Sequence, residues 1–287
     1  MRRSWCLTMG VLGVSVLMAW SAARADDQPA ASAASPRDEA LEIMLQPRTE
    51  STGHWEVSIG ADYSSGRYGA LRATRVYFVP LGLSYRTGRW RFAADSGVLR
   101  VKGPLDYSAI LDLTVEEIRE LGLEASASAS GQADTTLSAT YGIYENFDHL
   151  LFVDAEVRLK LPTASRSGGL GTGKVAGDLQ LDVIKMVGRW STFASATYGF
   201  RPHGRDGRDA LLASAGLGRN LTESTSLGAL FEWRRAPDHR ARDGRDVFLY
   251  LSQRMTDHVS VTVYGARSLI SGGVETQAGF RFGYRWP

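Results

Sequence analysis

The chain has one cysteine, Cys6, and beyond residue 25 it has no apolar run approaching the roughly 20 residues that a membrane-spanning helix requires. A lone thiol so near the start excludes a disulfide framework and leaves the rest of the chain without thiol chemistry. Helical insertion is excluded as well, so any crossing of a bilayer must use strands. The five histidines, His54, His149, His203, His239 and His258, are scattered without metal-ligand spacing, and no metal or cofactor is expected. Net charge is also scarce. The formal +2 includes Arg2, Arg3 and Arg24, and without them 30 of the 33 basic residues stand against 31 acidic ones. No positive field remains to argue for nucleic acid as a partner.

At the N-terminus, Arg2 and Arg3 precede an apolar stretch from Trp5 to Trp20, and Ala23-Arg24-Ala25 supplies a small-residue cleavage site. That layout predicts a secretory signal peptide over 1–25, with Asp26 starting the mature protein. A retained transmembrane helix is the rival reading, disfavoured by the short apolar run and its polar exit. Cys6 lies too early to be a lipid-attachment site. Residues 26–52 are rich in Ala, Ser, Pro and charge, and predict a disordered periplasmic leader.

From His54 a period of two begins. Trp55, Val57, Ile59, Ala61 and Tyr63 alternate with Glu56, Ser58, Gly60 and Asp62. The clearest copy is 149–161, where Leu151, Val153, Ala155, Val157, Leu159 and Leu161 alternate with Asp154, Glu156, Arg158 and Lys160. One face is fit for lipid and the other for water. Further copies lie at 73–86, 89–100, 134–144, 177–187, 190–200, 209–218, 224–234, 246–254, 258–266 and 276–286. The expected fold is an all-β, closed antiparallel transmembrane β-barrel of about twelve strands over 53–287, in the outer membrane of a Gram-negative bacterium.

Connection lengths support that reading over a secreted β-sandwich. Short links near 87–88, 145–148, 188–189, 220–223 and 256–257 alternate with longer ones at 64–72, 101–133, 162–176, 201–208, 235–245 and 267–275. Short periplasmic turns and long extracellular loops have this rhythm, and an even strand count puts both termini in the periplasm. A sandwich, moreover, would bury the repeated charges in a dry core. Pro80 interrupts the second strand and predicts a bulge or a later strand start, because proline lacks a ladder donor. The lumen-lining candidates are Glu56, Asp62, Asp154, Glu156, Arg158, Lys160, Asp178, Asp182, Glu232, Arg281 and Arg285.

The last strand places Thr276, Ala278, Phe280, Phe282, Tyr284 and Trp286 on one face and Gln277, Gly279, Arg281, Gly283 and Arg285 on the other. Its Gln277, Gly279, Phe282, Tyr284 and Trp286 resemble the C-terminal signal by which barrel-insertion machinery recognises outer-membrane proteins. An amphipathic strand with interfacial aromatics is the alternative, but the position of the motif in the last strand, together with the expected signal peptide, favours the targeting reading.

Lys160-Leu161-Pro162-Thr163, then Gly168-Gly169-Leu170-Gly171-Thr172-Gly173, then Asp178-Leu179-Gln180-Leu181-Asp182 form a motif. It resembles the outer-membrane transporter-like family associated with the meta-cleavage pathway of phenol degradation, closely over about residues 150–200. The resemblance implies an outer-membrane barrel engaged in transport, and the family's name implies uptake of aromatic compounds. Here Ala164 stands where that family has Gly.

Other motifs read as follows. Gly168 to Lys174 fits a phosphate-binding loop, but Val175 replaces the required hydroxyl residue and a strand follows, so no nucleotide site is expected. His258-Val259-Ser260 has the spacing of an outer-membrane lipid-modifying enzyme, with both side chains placed on one face by the period, though at the periplasmic end. No enzyme is expected. Arg205, Arg208, Arg242 and Arg245 lie in Asp-rich loops that suit solvated ion pairs or lipopolysaccharide phosphates. In the connection 101–133, Thr114 and Glu117 form a capping box that predicts a short helix through Leu121, with 125–131 as a flexible return. Two functions stay open: a channel or transporter for small solutes, or a plugged barrel with a structural or surface-interaction role. The expected partners are outer-membrane lipid and lipopolysaccharide, the insertion machinery and an unidentified small solute.

Overall fold

A computed structural model describes residues 53–66, 73–103, 128–164, 170–171, 173–200, 209–235, 243–270 and 274–286. The expected signal peptide and leader, the helix expected near 114–121 and the connections carrying His203 and His239 lie outside the described residues. Every regular element among the described residues is a strand. These are β1 (His54–Gly66), β2 (Thr74–Thr87), β3 (Trp90–Lys102), β4 (Ser128–Gln132), β5 (Thr135–Asn146), β6 (Leu151–Leu161) and β7 (Ala176–Val187), followed by β8 (Trp190–Phe200), β9 (Ala210–Asn220), β10 (Thr225–Arg234), β11 (Gly244–Arg254), β12 (Val259–Ser268) and β13 (Val274–Trp286). Each pairs antiparallel with its chain neighbour, except that β3 pairs with β4 at one end and β5 at the other. Since β4 and β5 thus form a single stave, the thirteen strands make twelve staves. β1 pairs with both β2 and β13, which closes the cylinder.

The period of two becomes an inside and an outside. On β6, Val157 and Leu159 point outward and stay exposed, while Asp154, Glu156, Arg158 and Lys160 point inward and are buried. Ile59, Leu81, Val98, Leu181, Leu217, Leu249 and Phe280 carry the same outer surface around the cylinder. A continuous apolar belt of this extent is far larger than the patches a water-exposed monomer shows. At the short-turn end the belt is edged by aromatics: Trp55 lies 4.7 Å from Tyr85, Trp90 lies 4.8 Å from Tyr141, and Tyr284 stacks on Trp286. Amphipathic rings of this kind sit at the boundary between hydrocarbon and water.

Two of the short turns follow from their glycines. Gly88 and Gly188 have φ of 53° and 61° and are followed by Arg89 and Arg189 with ordinary negative φ. Positive φ at the first central residue alone is the type II′ pattern, whose twist matches that of the flanking strands.

Two expectations are corrected, and one feature is added. Pro80 is neither a bulge nor a strand start: β2 runs straight through it with unchanged register, and Pro80 faces Gly97 on β3. Its ladder to β1 lapses only between the Ile59–Leu81 and Asp62–Phe78 pairs, where the missing donor leaves a gap. Residues 128–131 are not a flexible return but part of β4, because their Ser and Ala side chains fit the open edge of β3. A bulge does occur, unpredicted, at Ile143, where Gly142 faces Asp154 and Tyr144 faces Val153.

Candidate functional site

The chemistry of a closed barrel lies on its inner wall. Glu56, Asp62, Asp154, Glu156, Arg158, Lys160, Asp182, Glu232 and Arg281 all point inward and are buried, while Asp178 and Arg285 point inward and are half-buried. The register then sorts them into groups. Glu156 on β6 meets Arg91 of β3 at 3.4 Å and Arg158 of its own strand at 3.2 Å, and it accepts a hydrogen bond from Thr140 at 2.8 Å. Arg158 donates to Gln180, which also accepts from Thr197 and donates to Asp182. One polar network thus runs along the wall from β3 to β8. On the opposite side, Arg281 lies 3.7 Å from Asp62, which accepts a hydrogen bond from the Tyr264 hydroxyl. Near the end with long connections, Arg234 bridges Glu232 at 3.3 Å and Asp246 at 3.1 Å. Arg285 faces Glu56 across the β1–β13 ladder and donates to the Asp257 carbonyl at the short-turn mouth.

Sequence reading missed Arg91, Asp95, Asp134, Arg234 and Asp246, although Arg91 and Asp95 carry the same alternation against Trp90 and Phe92. It also missed two inner rows. In the first, Asp154, Asp182, Ser195, Ser214, Glu232 and Asp246 face one another in turn from β6 to β11. The neighbouring row is apolar: Phe152, Ile184, Phe193, Gly216, Leu230 and Phe248. A band able to hold apolar solute therefore runs beside a band of carboxylates and hydroxyls.

The larger inner side chains lie flat along the wall over glycines of the adjacent strand. A Cβ at Gly228 would collide with the Tyr250 ring, one at Gly216 with Leu230, one at Gly97 with Phe78 and one at Gly279 with Tyr264. Strand glycines mark places where a neighbour comes close to the backbone. Here the neighbour is the ring, or at Gly216 the leucine side chain, that would otherwise point across the barrel.

The Lys160-Leu161-Pro162-Thr163-Ala164 motif has a physical role at the mouth. Lys160 pairs with Asp134 at 3.2 Å, Thr163 Oγ1 accepts a hydrogen bond from the Thr135 amide at 2.8 Å, and the Ala164 amide donates to Asp134 at 2.9 Å. Leu170 is buried over Gly131 of β4, and Gly171 packs tightly against Ala164 and Asp134. The motif pins the start of the β6–β7 connection onto β4 and β5.

The His258–Ser260 pair separates in space, contrary to its expected common face. Ser260 is buried on the inner wall and donates to the Gly283 carbonyl, whereas His258 sits in the turn with its ring 6.2 Å from the outward Tyr284. Of the terminal motif, Gln277 and Gly279 face inward while Phe282 and Tyr284 are exposed on the outer belt and Trp286 stacks beside Tyr284.

No family model and no curated protein matches the chain. Among solved structures it is similar to the KdgM porin, at 11% identity and a TM-score of 0.49, covering 81% of this chain and 98% of that one. It is also similar to the CymD monoaromatic hydrocarbon channel, at 8% identity and a TM-score of 0.46, covering 83% and 88%. The translocator domain of the autotransporter NalP from Neisseria meningitidis is similar at 13% identity and a TM-score of 0.44, covering 86% and 92%. These likenesses are of β-barrel architecture and assign no solute.

Proposed function

We propose that this chain is an outer-membrane β-barrel channel for small solutes, with aromatic or other hydrophobic compounds as the class its inner wall suits. The observation that carries this reading is the flat-lying lining. The ion pairs described above lie within one stave or join neighbouring staves or staves once removed, and the large rings rest on glycines, so these side chains line the wall instead of bridging the lumen. The apolar row from Phe152 to Phe248 supports a hydrophobic solute, and the adjoining acidic and hydroxyl row supports polar contacts that orient it. The Lys160 to Thr163 motif supports the finer likeness to the phenol-pathway family. In this reading the Gln277, Gly279, Phe282, Tyr284 and Trp286 pattern addresses the chain to the insertion machinery.

One observation favours the plugged alternative. Arg281 and Asp182 are 0% exposed and Arg158 only 1%, which is drier than the wall of a wide aqueous pore. Ion current through purified, refolded full chain in a planar bilayer tests the two. Discrete conductance steps, together with faster entry of a monoaromatic solute into liposomes carrying the protein, are expected of the channel. Silence in both assays from heat-modifiable, folded protein would establish the plugged barrel instead.

A further inference from the structure

The outer wall carries a group of cations that the lumen does not use. Arg75 is the second residue of β2, Lys102 is the last residue of β3, and the two face each other across the ladder. Arg100, two residues earlier on β3, faces Tyr77. All three side chains are exposed and point outward, at the end of the barrel that carries the long connections. Lys102 Nζ lies 5.8 Å from the centre of the Tyr77 ring, and Tyr77 in turn packs at 5.3 Å against Tyr63 of β1. No carboxylate among the described residues pairs with any of the three, and the outward neighbours at the same level on β1 and β4 are Ser65, Ser128 and Ser130. Immediately below them the apolar belt begins, with Val79 facing Val98.

Like charges directly opposite each other weaken a strand pair, so Arg75 facing Lys102 calls for an anion between them. A guanidinium matches two phosphate oxygens at once, and an ammonium adds a point charge. The anion must also be amphiphilic, because these cations sit where the apolar belt gives way to polar surface, above side chains that belong in hydrocarbon. We propose that Arg75, Arg100 and Lys102 form a site for the phosphates of lipid A, the bisphosphorylated lipid of the outer leaflet, with its acyl chains lying down the belt over Val79 and Val98. The proposal rests on the outer-membrane part of the preceding reading and not on conduction. It is separate from the arginine-rich connections, which link β8 to β9 and β10 to β11 in the chain.

The test is native mass spectrometry of the full refolded chain titrated with bisphosphorylated lipid A, dephosphorylated lipid A and phosphatidylglycerol. The comparison is between wild type, the triple variant R75Q/R100Q/K102Q, and Arg219→Gln, which removes an outer-wall cation at the short-turn end that stacks 5.1 Å from Trp190. Wild type and the Arg219 variant are expected to hold bisphosphorylated lipid A at least tenfold more tightly than the triple variant. Dephosphorylated lipid A should bind all three proteins equally weakly. Equal retention of bisphosphorylated lipid A by wild type and the triple variant would overturn the site. Equal preference for phosphatidylglycerol would overturn it too, by showing a generic anion surface. Should the triple variant fail to show the heat-shifted mobility of a folded barrel, Arg100→Gln and Lys102→Gln singly must each show a partial loss. Conductance of the triple variant separates the two proposals: unchanged current with lost lipid leaves the channel standing, and bound lipid without current leaves only the lipid site.

Discussion

Replacing Gly228 with alanine tests whether the inner rings lie on the wall. The three nearest neighbours of a Cβ at 228 are Cε1, Cζ and the hydroxyl oxygen of Tyr250, with no backbone atom among them. The backbone can therefore stay in place while the ring swings, and with β10 and β12 on either side of its strand the free direction is into the lumen. Overpacking of this kind costs about 1–3 kcal/mol. Loss of glycine's freedom in the unfolded chain returns about 0.4–1 kcal/mol, for a net destabilisation of about 1–2 kcal/mol. Gly97→Ala is the contrasting case: there the Val79 carbonyl oxygen also blocks the Cβ, and a carbonyl in a ladder cannot swing away, so a cost near 3 kcal/mol is expected. Urea titration read by gel mobility measures both. In planar bilayers Gly228→Ala should lower single-channel current, and adding Tyr250→Ala should restore it. A Gly228→Ala protein with wild-type current and wild-type unfolding midpoint would refute the flat-lying ring.

Three further outcomes are expected. Val157→Arg, in the middle of the outer belt, should cost about 2–4 kcal/mol of folding free energy in lipid, measured by urea titration in vesicles; a cost near zero would contradict the assignment of faces. Arg158→Ala should cost about 3 kcal/mol, at the lower end for breaking a buried pair, because Arg91 still faces Glu156, and the same titration would expose a smaller loss. Deleting residues 282–287 removes the partners of Ile59, Ser58, Val57, Glu56 and Trp55 and should abolish assembly; normal membrane levels of the truncated chain in a fractionation blot would show that closure does not need them.

How much of this was legible depended on contrast between the two faces. β6 was plain because Val157 and Leu159 alternate with Glu156, Arg158 and Lys160. The apolar inner row was not, since Phe248, Leu249, Tyr250 and Leu251 are apolar on both faces and a period of two leaves no trace in such a run. β4 was hidden for the opposite reason, because alternating Ser and Ala carries almost no hydrophobic contrast. The pairing of Arg91 with Glu156 skips a stave, and only the register reveals it. The separation of His258 from Ser260 came from the strand starting at Val259, one residue after the histidine that the period had assigned to it.

The β1–β13 seam has a kinetic consequence. Every other ladder joins segments adjacent in the chain and can form as a local hairpin, whereas the seam pairs Trp55 with Trp286 and can zip only after the last strand is available. Its formation carries the loop-closure entropy of nearly the whole chain, so it is expected to be the slow, late event of folding. Until it forms, β1 and β13 present two long unpaired edges, which makes the open sheet the species most prone to aggregate.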